Sequence, residues 1–463
     1  MRSIALHSLA PHNDLQVATM LAGIAFVLLV GVLLGTLAKR VRQPAVIGEI
    51  LAGIALGPSL LGLLPGDLSH KLFPADVRPL LSAVSNVGLM LFMFMVGWEF
   101  EKRMLRPHRG LAASVSLSSV ACAFGLGVAV AALLYPHHNT VAGHHISFVT
   151  FSTFMGAAMS VTAFPVLARI LTDNRLTHTR VGTLALASAA VDDILAWCML
   201  AYVSALVTSS GAGDLFQVLG LSAAYVLGMF VLVRPALAAV VRFFSERQQW
   251  RALLVVMAAG TFLSSYLTTW IGIHGIFGAF LFGFIMPREP ALQLAEHLRK
   301  PLDHVSLILL PVFFIVTGLG VDINGLHARQ YLELAAILVV ACAGKLLGAM
   351  VPARLFGLSW RESRALGLLM NTRGLTELII LNTAVQLGVL DSQMFTMMVI
   401  MALVTTALAG PLLPKSSELM ATSTVDVEVG EAEPAGKAEA GAGSGAGSGA
   451  GSGAVAAGGK GRS

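Results

Sequence analysis

From about residue 15 to residue 414 one pattern recurs: an apolar run about as long as a membrane is thick, then a short break. A helix needs about 20 predominantly apolar residues to cross roughly 30 Å of hydrocarbon. Lipid offers no partners for backbone N–H and C=O groups, so such runs are expected to be helices that satisfy themselves. The breaks give thirteen candidate spans, near 15–38, 45–63, 79–99, 110–135, 146–171, 180–208, 215–241, 250–270, 272–287, 304–321, 332–353, 362–388 and 392–414. Charge is correspondingly scarce, at 12% of 463 residues against about 25% in an ordinary soluble domain.

The basic residues set the orientation. Lys39, Arg40 and Arg42 follow the first span, and Lys102, Arg103, Arg106 and Arg109 follow the third. Arg169, Arg175 and Arg180 mark the fifth, and Arg242, Arg247 and Arg251 follow the seventh. Arg288, Arg299 and Lys300 follow the ninth, and Arg354, Arg361 and Arg364 the eleventh. The intervening loops hold little beyond Lys71, Arg78 and Arg329. Positive loops face the cytoplasm. The N-terminus is therefore expected outside and the C-terminus inside a multi-pass protein of the plasma membrane. The net charge of +5 is then an orientation signal, and nucleic acid is not an expected partner.

Ionisable groups deep in such spans are costly, by about 3 kcal/mol each, and mark function by default. Asp192 and Asp193 lie mid-span in LALASAAVDDILAWCMLAYV. Neighbours on a helix point about 100° apart, so the two carboxylates cannot face one partner equally. One is free to pair with a cation while the other lines a cavity, where it can hold a proton or a metal cation. Lys345, in AAILVVACAGKLLGAMV, is the one lysine deep in a span and an obvious partner for either. Arg373 and Glu377 are four apart in LLMNTRGLTELIILN and so are expected to share a helix face, with Gly374 marking a break. They form either a structural pair or part of an ion path. Pro165, in MGAAMSVTAFPVLARIL, should free the Val161 carbonyl, which with Ser160 and Thr162 offers oxygens to a cation. Glu49, Glu99 and Asp322 fall near span ends, where charge is cheap. His137, His138, His144 and His145 are expected in a solvated external loop, with pH sensing or metal binding as the alternative.

The order of spans has a symmetry. With the seventh (about 215–241) as a linker helix, the repeats at about 15–208 and 250–414 are inverted in the membrane. The polar, broken segments are then fifth in each half, the arrangement that points to the binding site of an inverted-repeat transporter.

The stretches QPAVIGEILAGIALGPSLLG, LMLFMFMVGWEFE, SVTAFPVLARIL, AAVDDILAWCML, HGIFGAFLFGFIMP, LPVFFIVTGLGVDI, GKLLGAM and NTRGLTELIILN resemble the second cation:proton antiporter family. It includes bacterial sodium/proton exchangers, potassium-efflux antiporters and plant cation/proton exchangers. The resemblance covers about residues 15–414. It implies an all-α membrane fold of about thirteen helices, with crossed discontinuous helices, and a homodimer working by elevator-like alternating access. It implies that Asp193 is the principal cation- and proton-binding carboxylate, with Thr162 and Ser160 at the break beside it. Asp192 would pair with Lys345 and release it when the cation enters. The double aspartate resembles the electrogenic members, whereas SVTAFPVLARIL and NTRGLTELIILN resemble the plant exchangers. Na+ and K+ both remain open.

The competing readings are a gated cation channel and a transporter-like membrane sensor. There is no TVGYG-like filter, and no folded output domain is expected in the acidic and then Gly/Ala/Ser-rich tail, 421–463, which should be disordered. No HExxH or GxSxG set suggests an enzyme, and no cofactor is implied. Cys122, Cys198 and Cys342 sit in apolar runs without metal or disulfide spacing.

Overall fold

A computed structural model describes residues 12–41, 43–65, 68–99, 109–177, 179–208, 212–288 and 291–413. Most of the expected external segment over 1–14, and all of the expected disordered tail over 421–463, lie outside these residues.

The fold is helical. In chain order the elements are α1 His12–Arg40, α2 Ala45–Leu56, α3 Leu68–Leu72, α4 Arg78–Glu99 and α5 Arg109–His138. A two-stranded hairpin of Thr140–Val141 and His144–His145 follows, then α6 Phe148–Ser160, α7 Phe164–Asp173 and α8 Arg180–Thr208. Next come α9 Ala212–Gly228 and α10 Arg234–Glu246, continuous through a π turn at Met229–Val233. The remainder are α11 Trp250–Ile271, α12 Gly275–Phe284, α13 Ala291–Leu294, α14 Lys300–Leu319, α15 Ala328–Leu355, α16 Trp360–Met370, α17 Leu375–Gln386 and α18 Ser392–Leu412.

Among the described residues ten helices are long and apolar enough to cross a membrane. Three of the thirteen expected spans are not among the ten. The fifth is two half-helices, α6 and α7, and the twelfth is likewise split into α16 and α17. The ninth is the short α12. Its separation from α11 has a local cause: Gly272 adopts φ 104°, closing α11 in a left-handed cap, and the His274 side chain then accepts from the Ile276 N–H to open α12.

Packing falls into two groups of helices. The first has α5 against α6, α8 and α15, with α15 also against α16 and α18. The second has α4 against α12 and α14, and α2 against α1 and α14. Lipid supplies little hydrophobic drive between helices, so close backbone contact has to do the work. A Cβ on Gly283 would sit 2.0 Å from the Phe94 carbonyl, and one on Gly97 2.1 Å from the Phe280 carbonyl. Glycine is thus what lets α4 and α12 cross.

Candidate functional site

The two interrupted helices meet at their breaks. Residues 161–163 between α6 and α7 are extended, as Val161 (φ −72°, ψ 141°) and Ala163 (φ −82°, ψ 98°) show. Residues 371–374 separate α16 from α17. The breaks pair through one backbone bond, Ala163 N–H to the Thr372 carbonyl at 3.1 Å. Thr406 of α18 holds the second break from outside: its hydroxyl accepts from the Arg373 N–H at 2.9 Å and donates to the Arg373 carbonyl at 2.6 Å.

A broken helix exposes carbonyls at one half-end and N–H groups at the other. Here each C-terminal half-end is met by a side chain from the opposite break. Arg373 donates to the Ala158 and Met159 carbonyls at the end of α6, at 3.0 and 2.7 Å. Thr162 Oγ1 lies 2.8 Å from the Met370 carbonyl at the end of α16. The N-terminal half-ends face a carboxylate instead. The Phe164 N–H at the start of α7 and Thr376 in the first turn of α17 both bond Asp193, the hydroxyl at 3.3 Å. The Arg373 cation at the α6 carbonyl end and the Asp193 carboxylate at the amide ends have the signs that helix dipoles favour.

Asp192 and Asp193, adjacent on α8, have different partners. Lys345 of α15 donates to Asp192 Oδ2 at 2.9 Å and to Thr162 Oγ1 at 2.8 Å. Thr162 Oγ1 also lies 2.7 Å from Asp192 Oδ2, and Ser116 of α5 bonds Oδ1. Asp192 is thus closed in by three side chains, while Asp193 has Thr376 and one amide. The divergence follows from the 100° step between neighbours on a helix.

The remaining sequence candidates fall as follows. Arg373 precedes α17 rather than sharing a helical face with Glu377, and the pair closes across the break at 3.1 Å. Gly374 allows a close approach, since a Cβ there would lie 2.5 Å from Val166 Cγ2. Pro165 is not at the interruption itself. It occupies the first turn of α7, where no intrahelical donor is required, and the break lies just before it at 161–163. Ser160 is the last residue of α6, at the break, where its hydroxyl donates to the Ala157 carbonyl at 2.8 Å. Ser116, Thr376 and Thr406 were not singled out from sequence; hydroxyl residues are ordinary in membrane helices, and only Thr376, beside Glu377 in NTRGLTELIILN, stood in a highlighted motif.

All five charged residues are deeply buried: Asp193 is 4% exposed, Asp192 1%, and Lys345, Arg373 and Glu377 0%. Fully ionised, three carboxylates against two cations leave one negative charge unmatched. Polar capacity is left over as well, since Asn371 Oδ1, Arg373 Nε and Glu377 Oε1 are buried without a partner. Such groups are rare unless a water or an ion completes them. Chemically, the cluster is suited to take up one small monovalent cation or one proton.

The profile of the transmembrane sodium/hydrogen exchanger family matches residues 24–415, which include the whole cluster. The chain belongs to that family. Among relatives of this exchanger, the Na+/H+ antiporter NhaS4 of Synechocystis sp. is 43% identical over 398 residues, covering 85% of this chain and 96% of its own. Cation/H+ antiporter 15 of Arabidopsis thaliana is 36% identical, covering 81% of this chain and 45% of its own. K+/H+ antiporter 1 of Saccharomyces cerevisiae is 33% identical, covering 81% and 43%. This exchanger therefore spans nearly the whole cyanobacterial relative but less than half of the plant and yeast ones. The solved sodium/proton antiporter MjNhaP1 of Methanocaldococcus jannaschii shares the fold, with a TM-score of 0.61 over 88% of this chain and 98% of that one at 14% identity.

A further group lies away from the break. His138, expected in a solvated loop, is 2% exposed at the end of α5. Its Nδ1 is 2.6 Å from Asp391 and its Nε2 3.1 Å from Glu333 of α15, which Arg329 also contacts at 3.0 Å. Among the described residues no group of three or more His, Cys, Asp or Glu side chains is arranged to hold a metal.

Proposed function

We propose that this chain is a secondary antiporter that exchanges a monovalent cation, Na+ or K+, for protons across the plasma membrane. The observation that carries the reading is three buried carboxylates against two buried cations at the crossing of two broken helices, which when fully ionised leave one negative charge. One cation or one proton neutralises it, but not both together, and that competition is what couples the two fluxes. Relatives named as Na+/H+, K+/H+ and cation/H+ antiporters support it.

In this account Asp193 carries the cation or the proton, with Thr162 as a neighbouring oxygen. Lys345 neutralises Asp192 in the empty site. An arriving cation competes for Asp192 and displaces the ammonium. Alternating access then moves α5–α8 and α15–α18 as one body, within a homodimer whose basic loops face the cytoplasm. The halves around the linker helix α9–α10 serve as inverted repeats.

The test is cation-induced dissipation of a pH gradient in proteoliposomes, comparing Na+, K+ and Li+ with the membrane potential clamped. Collapse of the gradient with at least one of these ions is expected. Indifference to all three would remove the antiport reading.

A further inference from the structure

One cavity shares no lining residue with the cluster around the aspartates. It has a volume of about 980 Å³ and lies between the π turn with α10 and the chain leaving α12. Arg234, Arg242 and Arg288 line it, and Glu246 is the one acid in its wall. Arg288 is anchored through Nη2 to the Trp98 carbonyl at 3.3 Å. Arg234 and Arg242 are exposed. Ser245 and Gln293 also line it, and the rest of the wall is apolar, chiefly Phe230, Phe284 and Met286. A net positive mouth over an aromatic floor calls for a ligand that is anionic at one end and apolar at the other.

Depth gives the same answer. The apolar helix runs from Phe216 to Glu246, 31 residues, and only 6% of its apolar window is buried within the protein. About 20 residues suffice for the hydrocarbon, so counting from Phe216 the boundary falls close to Arg234. Arg242 is two turns further, at headgroup level. Arginine beyond the boundary on the side of the basic loops is where anionic headgroups are met. The π turn at Met229–Val233 immediately precedes Arg234 and takes one extra residue, which re-aims every side chain below it.

We propose that this cavity binds an anionic phospholipid, its phosphate between Arg234 and Arg242 and its acyl chains along Phe230, Phe284 and Met286. The inference does not depend on the antiport reading, because it is tested by binding alone.

The purified full-length chain is mixed with phosphatidylglycerol, phosphatidylcholine or glycerol phosphate, and retained ligand is measured by native mass spectrometry. Phosphatidylglycerol should be retained and the other two should not. Replacing both arginines (R234Q with R242Q) should weaken retention roughly thirtyfold, taking roughly a fivefold factor for each basic group near an anionic surface. The charge-conserving pair R234K with R242K should keep most of it, which separates lost charge from lost folding. Equal retention of phosphatidylcholine, or of glycerol phosphate without chains, would overturn the proposal. So would undiminished phosphatidylglycerol in the Gln variant, or a second copy of the chain excluding lipid from an intact dimer.

Discussion

Lys345 Nζ lies 2.9 Å from Asp192 Oδ2, with neither side chain reached by solvent. Removing one partner of a buried pair strands the other charge, at about 3–5 kcal/mol, whereas replacing both with apolar groups costs far less. Lys345→Met alone should therefore lower the melting temperature clearly, and Asp192→Leu added to it should recover part of the loss. Thermal unfolding of the two single variants and the double variant checks this; simple additivity would contradict a direct pair.

Arg373 carries two separate duties, the α6 carbonyls and Glu377. Arg373→Gln should destabilise by about 3–5 kcal/mol. Arg373→Lys should recover only part, because an ammonium lacks the planar fork that reaches Ala158, Met159 and Glu377 together. Full rescue by lysine in denaturation experiments would mean that charge alone matters there.

Thr162 serves both Lys345 and the α16 end. Thr162→Val leaves polar groups unmet at about 1–3 kcal/mol, while Thr162→Ser keeps the hydroxyl. Transport rate and thermal stability should both fall in the Val variant and largely survive in the Ser variant. Equal behaviour of the two would contradict a role for the hydroxyl.

The α4–α12 crossing predicts a contrast between glycines. Gly283→Ala drives a Cβ into the Phe94 carbonyl and should cost about 1–3 kcal/mol or more. Gly220→Ala in α9 meets nothing within 4 Å and should be neutral or stabilising by up to about 1 kcal/mol. Comparable melting temperatures for the two would refute the close crossing.

Asp391, just outside the membrane-spanning α18, ties the start of that helix to His138 at the end of α5. Burial pushes its carboxyl up, but hydrogen bonds from His138 and from backbone N–H groups outweigh this and hold it below the ordinary 3.8. A depressed carboxyl stabilises the fold above its unfolded pKa, and the contribution disappears as pH falls through the folded value. Melting temperature measured from neutral pH down past about 4 should therefore drop more steeply in the wild type than in Asp391→Asn. Parallel slopes would show that this carboxylate contributes nothing.

Charged residues in apolar runs are so costly that Asp192, Asp193, Lys345, Arg373 and Glu377 stood out from sequence alone. Their partners did not. The Ala158, Met159 and Met370 carbonyls have no residue-type signature. Ser116 and Thr406 resemble any other hydroxyl in a membrane helix. Ser160 was legible at the break, but not its bond back to the Ala157 carbonyl, which a helical serine readily makes. His138 was legible as a histidine cluster, yet Asp391 lies 253 positions away. The half-helices were legible as polar interruptions, although Pro165 drew attention just past the break at 161–163.

In the proposed antiport a cation and a proton compete for Asp193. Adding Na+ or K+ to the purified protein in weakly buffered detergent, with a pH indicator, measures that competition directly. Cation binding should release protons from the wild type and none from Asp193→Asn. Proton release of equal size in the Asn variant, or cation binding without release in the wild type, would contradict that competition.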